Sequence, residues 1–304
     1  MKPRTALRKR MRSELMPFWG LVLGLVTMPR VAFAACPPLA AKIDSPDCKP
    51  VNSWGDFVRL AESSETEVVF CPFNIETDND DPAVIKSATT KKLICPSGEC
   101  FIEGRGKHLE VRVPSIIQGF TFKGADGPSV RFFNLNDSDE SYYVCDSTFK
   151  SNNAGNLKGG ALRVAEGKLT IENSIFESNE AKEGGAIFLL EGADVTISNS
   201  VFLTNKAVHG GAIYVEAGAS LFVNKNRFEG NLLNRARGDD PKGAAIYLEG
   251  LSTDFVTDDG NSGSGNTDCN GFYVNGCIGF KGFEDPTNPP TIRSSDAPSE
   301  HQSE

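Results

Sequence analysis

The chain has 304 residues, 39 % of them hydrophobic and 23 % charged, a globular composition that excludes a disordered or multi-span membrane protein. Its formal charge is −9, yet the first 34 residues hold seven basic side chains and one acid; beyond them 24 basic residues face 39 acidic ones, a balance of −15. A body that acidic repels phosphate backbones, which excludes non-specific nucleic-acid binding.

At the N-terminus, a basic run through Arg12 precedes an apolar stretch from Phe18 to Met28 and then Ala32-Phe33-Ala34. This is the layout of a cleaved signal peptide over residues 1–34. The apolar stretch falls well short of the ~20 residues that span a bilayer, so an uncleaved signal anchor is the alternative. No later segment is apolar enough to span. The expected location is therefore secreted or at the cell surface. All eight cysteines (Cys36, Cys48, Cys71, Cys95, Cys100, Cys145, Cys269 and Cys277) follow the expected cut, and an even number in an oxidising compartment predicts disulfides. Short loops favour Cys36–Cys48, Cys95–Cys100 and Cys269–Cys277, leaving Cys71 and Cys145. Phe33-Ala34-Ala35-Cys36 resembles a bacterial lipoprotein box, which would take Cys36 out of that set.

Residues 35–66 form an N-terminal segment with a capping helix: Ser53 suits the N-cap, and Trp54, Phe57, Val58 and Ala61 share one helical face. Strands follow at Val68-Val69-Phe70 and Lys92-Leu93-Ile94. A repeat then governs the chain. Phe122, Phe149, Phe176, Phe202 and Phe228 recur at intervals of 27, 27, 26 and 26 residues, and the last four each precede an asparagine by three positions: Asn152, Asn179, Asn205 and Asn231. A second motif recurs as Gly159-Gly160-Ala161-Leu162, Gly184-Gly185-Ala186-Ile187, Gly210-Gly211-Ala212-Ile213 and Gly243-Ala244-Ala245-Ile246. Between them, Leu169 and Ile171, Val195 and Ile197, and Leu221 and Val223 alternate with strand periodicity. Each unit reads as three short strands too small to bury an apolar face alone, so the units must stack.

The fold class is therefore all-β: a single-stranded right-handed parallel β-helix over residues 67–280, with the Cys269–Cys277 region as a C-terminal disulfide cap and residues 281–304 as a disordered tail. Roughly seven coils fit between Val68 and Gly250, a rod on the order of 35 Å. Stacking turns each repeated residue into a column: the phenylalanines an interior aromatic stack, the asparagines an amide ladder at a bend. Phenylalanine outnumbers tyrosine and tryptophan, 20 against 5 and 2, which points to buried rather than wet aromatics.

The Phe-x-x-Asn and Gly-Gly-Ala-Ile copies over about residues 117–250 resemble the repeats of chlamydial polymorphic membrane proteins, a family of surface β-helix adhesins. The wider arrangement, a capping helix before Val-Val-Phe-Cys-Pro-Phe and then Leu-Ile-Cys and Gly-Phe-Thr-Phe-Lys-Gly-Ala, is similar to secreted β-helix proteins of microalgae. The fold also resembles the pectin lyase and pectinesterase superfamily. That last resemblance implies an enzyme on acidic polysaccharide, but fold alone does not supply function. Asp80-Asp81, Asp239-Asp240 and Asp258-Asp259 occur without the Asn-Thr-Asp and Arg-Ile-Lys motifs of polygalacturonases, and the pectinesterase Gln-Asp-Thr-Leu-Tyr segment is missing.

No catalytic residue is assigned. His108 and His209 lack a nucleophile at a telling spacing, and the expected place of His108 is a turn near a coil bend. Asp78, Asp80 and Asp81 have calcium-ligand chemistry but match no calcium loop, so no metal or cofactor is assigned. Strand parity instead directs Arg163, Phe188, Tyr214 and Tyr247 outward in one column, with Glu216 and Glu249 on the same sheet. Exposed rings stack on sugars or anchor a protein partner; the plainer reading is cross-strand pairing that only stabilises the sheet. The loop from Leu232 to Lys242, with Arg235, Arg237, Asp239 and Asp240, interrupts the repeat and is a further contact candidate. Asn136 heads a glycosylation sequon. The expected role is surface or extracellular binding, adhesin-like toward a polysaccharide or a cell-surface protein, with a polysaccharide lyase or hydrolase as the alternative.

Overall fold

The computed structural model describes residues 36, 47–78, 81–86, 90–133, 142–234, 241–250, 255–257, 260–269, 271–273 and 277–278. The expected signal peptide, Asn136, the loop residues Arg235, Arg237, Asp239 and Asp240, and the tail lie outside them. Within the described residues the chain winds as a parallel β-helix of three long sheets, with a two-stranded fourth of Lys206–Ala207 and Leu232–Leu233. The first runs from Glu67–Val69 to Phe255–Thr257 and the second from Phe73–Thr77 to Ser262–Ser264, eight strands each. The third has nine, from Ala83–Ile85 to Cys277–Ile278. All pairings are parallel except that of Cys277–Ile278 with Phe272–Tyr273.

Register is what the repeat requires. Leu162, Ile187, Ile213 and Ile246 are successive Cα partners, and all four side chains are buried. Phe122, Phe149, Phe176, Phe202 and Phe228 stack in the second sheet, ring centroids 5.2, 5.0, 4.8 and 4.7 Å apart. The column ends where Phe228 pairs with Gly263, which has no ring to offer.

Each asparagine of the ladder uses its whole amide. Asn179 Oδ1 accepts from the backbone N–H and the Nδ2 of Asn152, while its own Nδ2 donates to Asn205 Oδ1 at 2.9 Å and to the carbonyl of Phe149 at 3.0 Å. The same pattern carries through Asn205 and Asn231 to Asn266. Buried polar groups are costly only when unpaired, so the ladder removes that cost at one corner of every coil. A second ladder lies at the other end of the second-sheet strands: Ser147, Ser174, Ser200, Asn226 and Asn261, each accepting from the preceding coil's backbone N–H. Both ladders follow a residue in the left-handed region, Ser151, Ser178 and Thr204 before one and Asp146, Asn173, Asn199 and Lys225 before the other. That conformation turns the chain so that the next side chain points inward. Polar Asn, Asp and Ser tolerate it better than branched apolar residues do.

The N-terminal coils are built differently. Ser53 caps the helix Trp54–Ala61 by accepting from the Asp56 N–H. Phe57 from that helix enters a cluster with Phe70, Phe73 and Phe120 in tilted and edge-on contacts. Lys91 is buried and its ammonium donates to the carbonyls of Leu60, Ser63 and Glu65 and to Ser63 Oγ, so it anchors the chain leaving the helix. His108, just past the bend at Arg105 and Gly106, is also buried. Its ring lies between Ser129 Oγ at 2.9 Å and the Gly104 carbonyl at 3.1 Å. Burial holds its pKa down at about 4 against the hydrogen bond to the Gly104 carbonyl and the charge of Asp126, so the ring is neutral, accepting from the serine and donating to the carbonyl.

Two expected disulfides are corrected. Cys95–Cys100 forms as the short loop predicts, but Cys36 bonds Cys145 and Cys48 bonds Cys71. Lys49 pairs beside Phe70 at the first coil, whereas Cys145 lies three strand spacings further along the first sheet, through the register Val69, Ile94, Gln118 and Cys145. That is about 14 Å, beyond the ~7 Å reach of a disulfide. Neighbours in the sequence are thus held apart by the stacking. The Cys36 sulfur, being in a disulfide, is not available for a lipid thioether. Cys269 is disulfide-bonded as well; the side chain of its expected partner, Cys277, lies outside the described residues.

Candidate binding face

The outward column predicted on the third sheet exists. Arg163, Phe188, Tyr214 and Tyr247 are successive partners, continued by Tyr273. It is not the open ladder of rings that strand parity alone implies. Phe188 is 0 % exposed and Tyr214 6 %, while Arg163 and Tyr247 are half-buried. The cover comes from the glycine corners. Gly184 has a φ of +62°, and a Cβ there would meet the Ile187 carbonyl at 2.1 Å; at Gly185 it would meet the Gly211 carbonyl at 2.2 Å. Only glycine lets the chain fold so tightly that the residues before each corner lie over the strand after it.

Those residues form a strip of their own: Lys158, Glu183, His209 and Lys242 pair as parallel bridges from coil to coil. Lys158 places its ammonium 4.4 Å over the Phe188 ring, 3.0 Å from Glu183 and 3.4 Å from Glu216. Burial alone would lower the pKa of Lys158, but the Glu183 and Glu216 carboxylates outweigh it and raise the value. His209 lies 5.2 Å from the Tyr247 ring, and Lys242 lies 5.8 Å over Tyr273. Strip and column therefore interlock as cation, ring and carboxylate.

Of the two acids predicted for this face, Glu216 is engaged. Glu216 accepts from the Glu191 N–H at 3.1 Å in addition to holding Lys158. Burial first, and then the nearby Glu249 and Glu183 carboxylates, raise the pKa of Tyr214, while Glu249 itself is exposed. What remains accessible are the two ends of the column: the partly exposed rings of Tyr247 and Tyr273 on one side, and Arg163 with its neighbour Arg131 on the other. Arg131 was not among the sequence candidates. Its outward position could have been read from the Val130–Phe132 strand by the same parity, but only the register sets it beside Arg163. Among the described residues no group of three or more His, Cys, Asp or Glu is arranged to hold a metal ion. No helix among them is long and apolar enough to cross a membrane.

Searches against curated proteins and against solved structures return no match. A family model described as right handed beta helix region matches residues 115–280, more than half of the chain and the same stretch that carries the phenylalanine and asparagine columns. The chain therefore belongs to the right-handed β-helix family.

Proposed function

We propose that this is an exported β-helix that acts by binding, toward glycans or surface proteins, and not by catalysis. The observation that carries the reading is the engagement of Glu216 on the candidate face, taken up by Lys158 and a backbone N–H, which leaves Glu249 there without a second free carboxylate. A glycosidase needs two carboxyl groups free to meet the scissile bond from opposite sides. The half-exposed rings of Tyr247 and Tyr273, 6.2 Å apart and nearly parallel, suit stacking against a sugar face. The disulfides agree with an oxidising compartment, and the resemblance of the repeats to surface adhesins favours the same role.

Retention on a glycan array, lost on Tyr247→Ala and Tyr273→Ala, is the expected result. Reducing-sugar and unsaturated-product assays on polygalacturonate and alginate provide the opposite test. Turnover abolished by Glu216→Gln or Glu249→Gln would replace the binding reading with a polysaccharide lyase or hydrolase. A blank array together with fractionation into insoluble cell wall would favour a purely structural element.

A further inference from the structure

Followed toward the N-terminal coils, the outward column of the third sheet changes character: Phe188 is preceded by Arg163, Arg131 and Glu110. Arg131 and Arg163 are direct partners on parallel strands, so their side chains leave the sheet about 4.8 Å apart. Like charges placed directly opposite destabilise a sheet, and here the nearby carboxylates are bonded to other cations. Glu110, almost fully buried, is bonded by Arg112 at 3.0 Å, while Glu183 and Glu216 hold Lys158. Among the described residues neither Arg131 nor Arg163 forms an ion pair, and the Nε of Arg131 is buried without a hydrogen-bond partner. Burial and then the charge of Arg163 lower the pKa of Arg131, with Glu110 opposing both.

A protein that is acidic elsewhere thus keeps two adjacent guanidinium groups on one sheet face, neither in an ion pair among the described residues. Guanidinium forks match planar oxyanions bidentately. We infer that Arg131 and Arg163 form a binding site for one oxyanion, the carboxylate or sulfate ester of a single acidic sugar residue. The restriction to a single charge follows from the −15 balance beyond residue 34, which repels any polyanion extending past the pair. Phe188 beside the pair is sealed, so charge and hydrogen-bond geometry, not ring stacking, supply the recognition. The inference rests on the glycan-binding reading and names the sugar chemistry it would take.

The test uses the full chain and calorimetric titration with four probes: a neutral oligosaccharide, the same scaffold carrying one uronate, the same scaffold carrying one sulfate ester, and a fully charged oligogalacturonate. At least tenfold tighter binding of a singly charged probe than of the neutral one is expected, with the uronate and sulfate arms identifying the oxyanion. The polyanion should bind more weakly than the better singly charged probe. Arg131→Gln with Arg163→Gln should remove the preference, the two lysine replacements should restore only part of it, and Arg227→Gln on the second sheet should leave it intact. Arg163→Gln alone, with its melting temperature measured, covers a double variant that fails to fold. No preference for a charged probe, or a preference that survives the glutamine changes, overturns the inference. Neutral-probe binding retained in that case leaves the glycan-binding reading standing, whereas no binding of any probe defeats both.

Discussion

The coils between Tyr142 and Asn234 and those between Glu67 and Phe133 solve the same problem in opposite ways. In the later coils one solution is repeated: rings lie over rings within 5° of parallel from Phe149 to Phe228, and each amide of the asparagine ladder is satisfied by the amide of the next coil. In the earlier coils the buried Lys91 and His108 are satisfied individually, Lys91 by three carbonyls and a hydroxyl and His108 by a serine and a carbonyl. The rings there meet edge-on, as Phe70 does Phe120 at 78°. Repetition makes stability a shared property of neighbouring coils. One-off contacts keep it local, and the Cys48–Cys71 and Cys95–Cys100 disulfides reinforce that end covalently.

Breaking a column should have the largest effect. Phe176→Ala removes a ring packed 5.0 and 4.8 Å from its neighbours and should cost about 3–5 kcal/mol, read as a fall in the urea midpoint at unchanged slope. Asn205→Ala should cost about 3–4 kcal/mol, since it strands the Asn179 amide and the Phe176 carbonyl together. Hydrogen exchange in that variant should quicken in the coils on both sides, not only in its own; a purely local change would contradict shared stability.

Acid should find the one-off contacts first. The His108 ring titrates near 6.5 when unfolded and at about 4 when folded. Between those values the unfolded chain binds a proton that the native one does not, so stability falls as the pH drops through the window and levels off below it. The contribution is about 3 kcal/mol, and denaturant titrations at pH 7 and pH 4.5 should differ less in His108→Gln than in the parent. Lys91→Met should be smaller, about 2 kcal/mol, because water reaches the carbonyl ends near Glu65. Its faster exchange should stay within the helix Trp54–Ala61 and the first coils, leaving the asparagine ladder protected.

The sequence by itself determined the columns. A parallel stack puts the same position of each coil into the same surroundings, so a 26-residue period in Phe and Asn translates directly into contact, and the inward set at Leu162, Ile187, Ile213 and Ile246 follows from parity. The second ladder was also present in the spacing of Ser147, Ser174, Ser200 and Asn226, but the change of residue type hid it, because only a shared acceptor oxygen unites serine with asparagine there. Tertiary structure alone decided what periodicity cannot carry. The closing of the strip over Phe188 and Tyr214, the partnering of Cys36 with Cys145 across 109 residues, the burial of Lys91 and His108, and the lack of an ion pair among the described residues at Arg131 and Arg163 all depend on which distant segment crosses a given coil. Sequence spacing records the distance along the chain from one coil to the next, whereas these features arise from contacts made across the coil or over its outer face.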